Sequence, residues 1–181
     1  MMSRLLGLAI YALLTFPAQA KSPGRPAGAP AHRLQQHACP FECCRYGRWT
    51  AAVILLLRDA ASDSAKEITS IPVGVSFKTI TGETHTEAGL VRFLRADQGF
   101  DKGETVAIYD YVGEGRYRAW VNGRMQDVDL AAGLNVARIE KDPVQVWWVE
   151  AQLEDGQKGW IRMPSTKAVT GHDGCAGPEP P

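Results

Sequence analysis

The stretch Val144-Gln145-Val146-Trp147-Trp148-Val149-Glu150-Ala151-Gln152-Leu153 reads as a long strand. Glu154-Asp155-Gly156-Gln157 then turns, and Lys158-Gly159-Trp160-Ile161-Arg162 returns. β-branched and aromatic residues broken by a short polar turn are the mark of a hairpin. Working back along the chain, the same alternation of short strands and turn signals recurs. Residues 105–112 are β-rich, Gly113-Glu114-Gly115 turns, and residues 116–121 run into Asn122-Gly123. Asn-Gly tolerates the two positive φ angles of a type I′ turn, the strongest short hairpin signal here. Further back, residues 75–81 and 89–95 read as strands joined by Thr-Gly-Glu-Thr-His, and Pro72-Val73-Gly74 punctuates the end of a strand at 68–71. Residues 50–58 fit either a strand buried on both faces or a short helix. Residues 129–141 carry no clear pattern. The expected fold class is mostly β, a small barrel or two such units.

The ends of the chain read differently. Arg4 precedes the apolar run 5–14, and Ala18-Gln19-Ala20 supplies a small-x-small site, so residues 1–20 are expected to be a secretory signal peptide cut after Ala20. Thr15, Pro17, Gln19 and Lys21 end the apolar run well short of the roughly 20 residues that span a bilayer. Export to the periplasm or beyond is the expectation. Residues 21–36, proline-rich at their start, are expected to form a flexible linker, 177–181 a disordered tail, and 37–176 the folded domain, with units at 49–95 and 100–164 if there are two. The 20 basic and 20 acidic residues balance, which offers no field for nucleic acid.

Three of the four cysteines lie in Cys39-Pro40-Phe41-Glu42-Cys43-Cys44 and the fourth is Cys175. In a reducing compartment His37, Cys39, Cys43 and Cys44 would suit zinc. After export the thiols are expected to pair instead. A disulfide between neighbours strains its torsion and the intervening peptide, so one of Cys43 and Cys44 should reach Cys175 and the other Cys39. No metal and no cofactor is expected, since no glycine-rich phosphate loop or paired-carboxylate arrangement stands out. An enzyme using Cys43 or Cys44 with His37, His85 or His172 is the disfavoured alternative. His85 itself reads as a solvated loop residue, and His172-Asp173 as part of the turn that carries Cys175.

Trp147-Trp148-Val149, Asp155-Gly156 and Gly159-Trp160-Ile161 together resemble the closing hairpin of bacterial SH3-like domains, and 68–75 is similar to their strand-to-Pro/Gly turn. The resemblance implies a non-enzymatic binding module for cell-wall peptides or an envelope protein partner. A structural envelope protein without a small ligand is the alternative reading.

The candidate binding residues follow from hairpin register. Pairing Val112 with Arg116 sets Ile108 opposite Trp120, Asp110 opposite Arg118, and, through Asn122-Gly123, Trp120 opposite Met125. That register makes an apolar face of Val106, Ile108, Val112, Trp120 and Met125, and leaves Tyr109, Tyr111 and Tyr117 as a binding face beside Ala107 and Ala119. The competing register turns Val106, Ile108, Val112, Tyr117, Ala119 and Val121 inward instead.

Overall fold

The computed structural model describes residues 24–41, 43–131 and 135–175. The expected leader at 1–20 and tail at 177–181 lie outside the described residues. The chain is nearly all β, with no α-helix among the described residues. Its strands are β1 (His32–Gln36), β2 (Arg48–Ala51), β3 (Leu55–Arg58), β4 (Glu67–Ile71), β5 (Ser76–Glu87), β6 (Gly89–Phe93), β7 (Thr105–Gly113), β8 (Arg116–Val121), β9 (Arg124–Asp129), β10 (Ala137–Lys141), β11 (Val144–Gln152), β12 (Lys158–Arg162) and β13 (Val169–Thr170). A 3-10 turn, Thr166–Ala168, precedes the last.

These strands form two sheets. The larger is curled and runs β13-β2-β5-β11-β12-β3-β4, with β1 also on β5; the smaller runs β10-β6-β7-β8-β9. The boundary differs from units at 49–95 and 100–164, because β11 and β12 pair with β5 and β3 while β6 pairs with β7 and β10. Residues 89–141 thus make the second sheet, between two segments of the first.

The ambiguous stretch 50–58 is two strands, β2 and β3, separated by residues 52–54. Its alternation decides the matter: Leu55 and Leu57 are buried while Leu56 is exposed. The larger sheet encloses Trp49, Leu55, Leu57, Ile71, Phe77, Trp147, Val149 and Ile161. Trp49 and Trp147 meet edge to face at 5.8 Å, a favoured aromatic geometry. The second core holds Val91, Phe93, Phe100, Val106, Ile108, Ala119, Val128 and Val136, with Phe93 stacked on Phe100 at 4.4 Å.

Residues 21–36, read as a linker, are ordered over their described part. β1 pairs with β5 from His32↔Glu87 to Gln36↔Glu83. Ahead of it, Ala29 is buried with Ala88, Ala107 and Tyr109 against Trp120 and Met125, and the Tyr109 hydroxyl donates to Pro30 O at 2.7 Å. Composition alone suggested that this segment could not repay its ordering. The apolar face of β7 and β8 supplies the missing partner.

β5 also runs unbroken through Thr81–His85, which the sequence suggested was a connection. Its inward residues there are Thr84 and Thr86, both buried. Threonine fits a strand sterically without giving an apolar signal.

The sheets join where a buried carboxylate crosses between them. Asp110 of β7 is ion-paired to Arg33 of β1, accepts from the Thr86 hydroxyl of β5 at 2.8 Å and accepts from Gln145 Nε2 of β11 at 3.0 Å. The chain passes between the sheets at 88–89 and returns at 142–143. A Cβ on Gly89 would stand 2.5 Å from Pro143 N and 2.6 Å from Lys141 O, so only glycine fits where the passages touch.

Candidate functional site

The β7–β8 register bears directly on the three tyrosines. Gly113↔Arg116, Tyr111↔Tyr117, Ile108↔Ala119 and Ala107↔Trp120 are partners, with shifts between Ile108 and Tyr111 and again between Tyr111 and Gly113. The register with Val112 opposite Arg116 therefore fails on both sides of the Tyr111–Tyr117 pair. Beyond the shifts the competing register holds, and Val106, Ile108 and Ala119 face the second core with Tyr117 and Val121 packed against it. Bulges add residues to one strand and reorient its side chains. Here they reconcile the Gly113-Glu114-Gly115 turn with the inward set. At the next turn Trp120↔Met125 pair as expected, and Asn122 and Gly123 have φ of 50° and 81°.

The tyrosines consequently do not form one face. Tyr109 is 1% exposed beneath residues 29–30, and burial raises its hydroxyl pKa. Tyr111 is 60% exposed and meets Tyr117 edge to face at 5.3 Å. Burial raises the pKa of the half-buried Tyr117 as well. Asp110 lies at the sheet junction rather than across from Arg118, which pairs with Asp127 at 3.1 Å.

The cysteines join as Cys39–Cys44 and Cys43–Cys175, and none is free. The thiols considered for zinc or for nucleophilic attack are thus consumed in bridges. Cys43 has a positive φ of 61°, and Gly174 N–H donates to its carbonyl at 2.7 Å. Beneath the bridges Phe41, Trp49, Trp147 and His172 pack ring to ring, with Phe41–His172 at 5.3 Å and Phe41–Trp147 at 5.6 Å. Tyr46 stacks on Trp49 at 6.0 Å, and its hydroxyl donates to Ala38 O. Burial raises the Tyr46 pKa, partly offset by the neighbouring Trp147 N–H, which falls short of hydrogen-bond geometry. His37 lies apart from this group, with Nδ1 3.1 Å from the Thr81 hydroxyl.

A cleft of about 520 Å³ opens on the outer face of the larger sheet. Alternation along β11 sends Trp147 into the core and Trp148 outward. Trp148 is nonetheless only 2% exposed, since 61–64 stands beside it and the Arg162–Asp63 ion pair at 3.1 Å holds that loop down. Val144 and Val146 continue the apolar wall along β11, while His85 and Glu87 from β5 and His32 from β1 form the polar wall. His85 Nε2 lies 2.6 Å from Glu83 Oε1. The Lys141 ammonium, 2.5 Å from Glu87, holds that carboxyl below its usual range.

The site therefore sets the carboxylates of Asp63 and Glu87, with the His85 ring, beside a strip of branched aliphatics. It suits a ligand carrying N–H or ammonium donors next to apolar groups. Reading His85 as a loop residue hid it, because its position on the outer face becomes visible only once 81–87 is known to be strand. No protein-family model matches the chain, and no curated protein matches it in sequence.

Proposed function

We propose that this chain is an exported, non-enzymatic SH3-like binding module that takes an extended peptide, from the cell wall or from an envelope protein, in the cleft between loop 61–64 and the β5–β11 face. The observation that carries the reading is the juxtaposition of Val144 and Val146 with the carboxylate acceptors of Asp63 and Glu87, beside His85, in one open cleft. Peptide N–H and amine groups would meet the acceptors while aliphatic side chains lie along the valines. The SH3-like assignment rests on the Trp-bearing β11–β12 hairpin. Export rests on the leader-like N-terminus and agrees with two disulfides.

The test is an NMR titration of the full chain with soluble cell-wall peptides, paired with capture of envelope proteins. Shifts should cluster at 61–64, 85–87 and 144–148, and Val146→Asp should weaken binding by about tenfold or more, as expected when a charge enters an apolar contact. Binding that Val146→Asp leaves intact would move the site elsewhere. Absence of both peptide and protein binding would favour a purely structural envelope protein.

A further inference from the structure

A second surface lies at the other end of β5, near Ser76, and is independent of the cleft. Two connections meet there, 52–54 between β2 and β3 and 72–75 between β4 and β5. Ala51 N–H donates to Val75 O at 3.0 Å, Gly74 N–H donates to Ala51 O at 2.8 Å, and Ala52 N–H donates to Ala168 O at 2.8 Å. The tips are thus tied to each other and to the 3-10 turn. Leu55↔Ile71 pair just behind them. From this fixed end project Ile54 at 67%, Val73 at 60%, Val53 at 42% and Val75 at 40% exposure. Branched aliphatics so exposed on adjacent tips cost hydration free energy unless something covers them.

Charge indicates what covers them. At this end Lys78 and Lys167 are exposed cations, while Arg48, opposite Lys78, is paired with Glu154 at 3.6 Å and Arg58 stands opposite Glu67 at the far end of β3. Arg162 is paired with Asp63, and Arg58 donates to Ala65 O at 2.8 Å, whereas Lys167 is exposed on the turn hydrogen-bonded to the tip. A second copy of the chain would bring like charges together. An anionic lipid surface answers both features, taking the aliphatics into its headgroup boundary and pairing its phosphates with the basic rim.

We infer that the paired tips Val53-Ile54 and Val73–Val75 are a shallow membrane-docking site for anionic lipid, with Lys167 as its chief electrostatic contact. Docking here leaves the cleft at the Glu87 end of β5 open.

The experiment is co-sedimentation of the full chain with vesicles of phosphatidylethanolamine and phosphatidylglycerol, against vesicles of phosphatidylcholine alone. The wild-type chain should partition to the anionic vesicles and be released by salt. Ile54→Asn with Val73→Asn should lower the partition coefficient by about tenfold or more. Lys167→Ala should lower it about fivefold and reduce its salt dependence. Residues 1–23 are common to all variants, so the differences report the tips. Near-UV circular dichroism checks the fold, and Lys167→Ala gives a separate reading should the double variant misfold. Failure of the wild-type chain to sediment with anionic vesicles overturns the inference, as does equal partition of the Lys167→Ala variant. A dimer that the double variant converts to monomer, or a protein partner lost with the same substitutions, overturns it in favour of a protein interface.

Discussion

The two sheets reach closure by opposite routes. The smaller is mostly local: β6, β7, β8 and β9 follow one another as neighbours, and only β10 returns to pair outside its turn in sequence. The larger brings together 32–87 and 144–170, so its central pairing, β5 with β11, joins segments separated by the entire second sheet. Long-range pairing must overcome loop-closure entropy before contacts stabilise it. Both disulfides lie on the larger sheet's side of the molecule, and the longer, Cys43–Cys175, spans 132 residues. The difference teaches that the longer covalent tie, Cys43–Cys175, lies with the sheet whose closure costs most entropy, while Cys39–Cys44 closes only a local loop.

The largest effect should come from that staple. In the loop model, Cys43→Ala with Cys175→Ala removes about 5 kcal/mol of stability, against about 2 kcal/mol for Cys39→Ala with Cys44→Ala, whose loop spans only five residues. Denaturant titration of both double variants under oxidising conditions measures the contrast. Equal losses would show that loop length does not govern the difference.

Asp110→Ala should cost about 3 kcal/mol, since it leaves Arg33, 23% exposed at its side chain, without its carboxylate and takes the acceptor from Thr86 and Gln145. Hydrogen exchange should show β7 and the 83–87 end of β5 losing protection together. If only one of the two loosens, Asp110 does not couple the sheets.

The smallest effect is electrostatic. Arg92, 2.6 Å from Glu140, holds that carboxyl below its ordinary pKa, with Arg138 assisting, and Lys141 does the same for Glu87. A depressed folded-state pKa contributes stability above the ordinary carboxylate pKa of about 4.3 and loses it as pH falls through the folded value. The thermal midpoint should therefore fall below about pH 4, and Arg92→Ala should flatten part of that fall. An unchanged acid limb in the variant would remove Glu140 from the explanation.

The same contrast governs what the sequence reveals. Local elements were legible, namely the Asn122-Gly123 hairpin, the β11–β12 hairpin and most strand positions, since their signals lie in adjacent residues. The placing of Cys43 or Cys44 on Cys175 followed from elementary disulfide geometry. What escaped depends on partners distant in sequence. β1 is polar and follows prolines, and becomes a strand because β5 offers it an edge. Thr84 and Thr86 give no hydrophobic alternation though they lie on the inner face. The cleft escaped for the same reason, since His32, His85 and Val146 meet only through β1–β5–β11 pairing. Tyr109 is parted from the Tyr111–Tyr117 pair by a register shift between Ile108 and Tyr111 that no spacing announces.

The contact of Gly89 with Lys141 and Pro143, together with the Glu87↔Val144 pairing, has a topological meaning. β5 and β11 pair as the two arms of a β-hairpin, and residues 88–143 stand in the place of its loop and carry the second sheet. The tips of ordinary hairpins accept insertions because the chain leaves and returns at one point on the surface. This molecule keeps that geometry at the scale of a domain, so the second sheet can diverge in length and surface while the arms that carry the cleft keep their register.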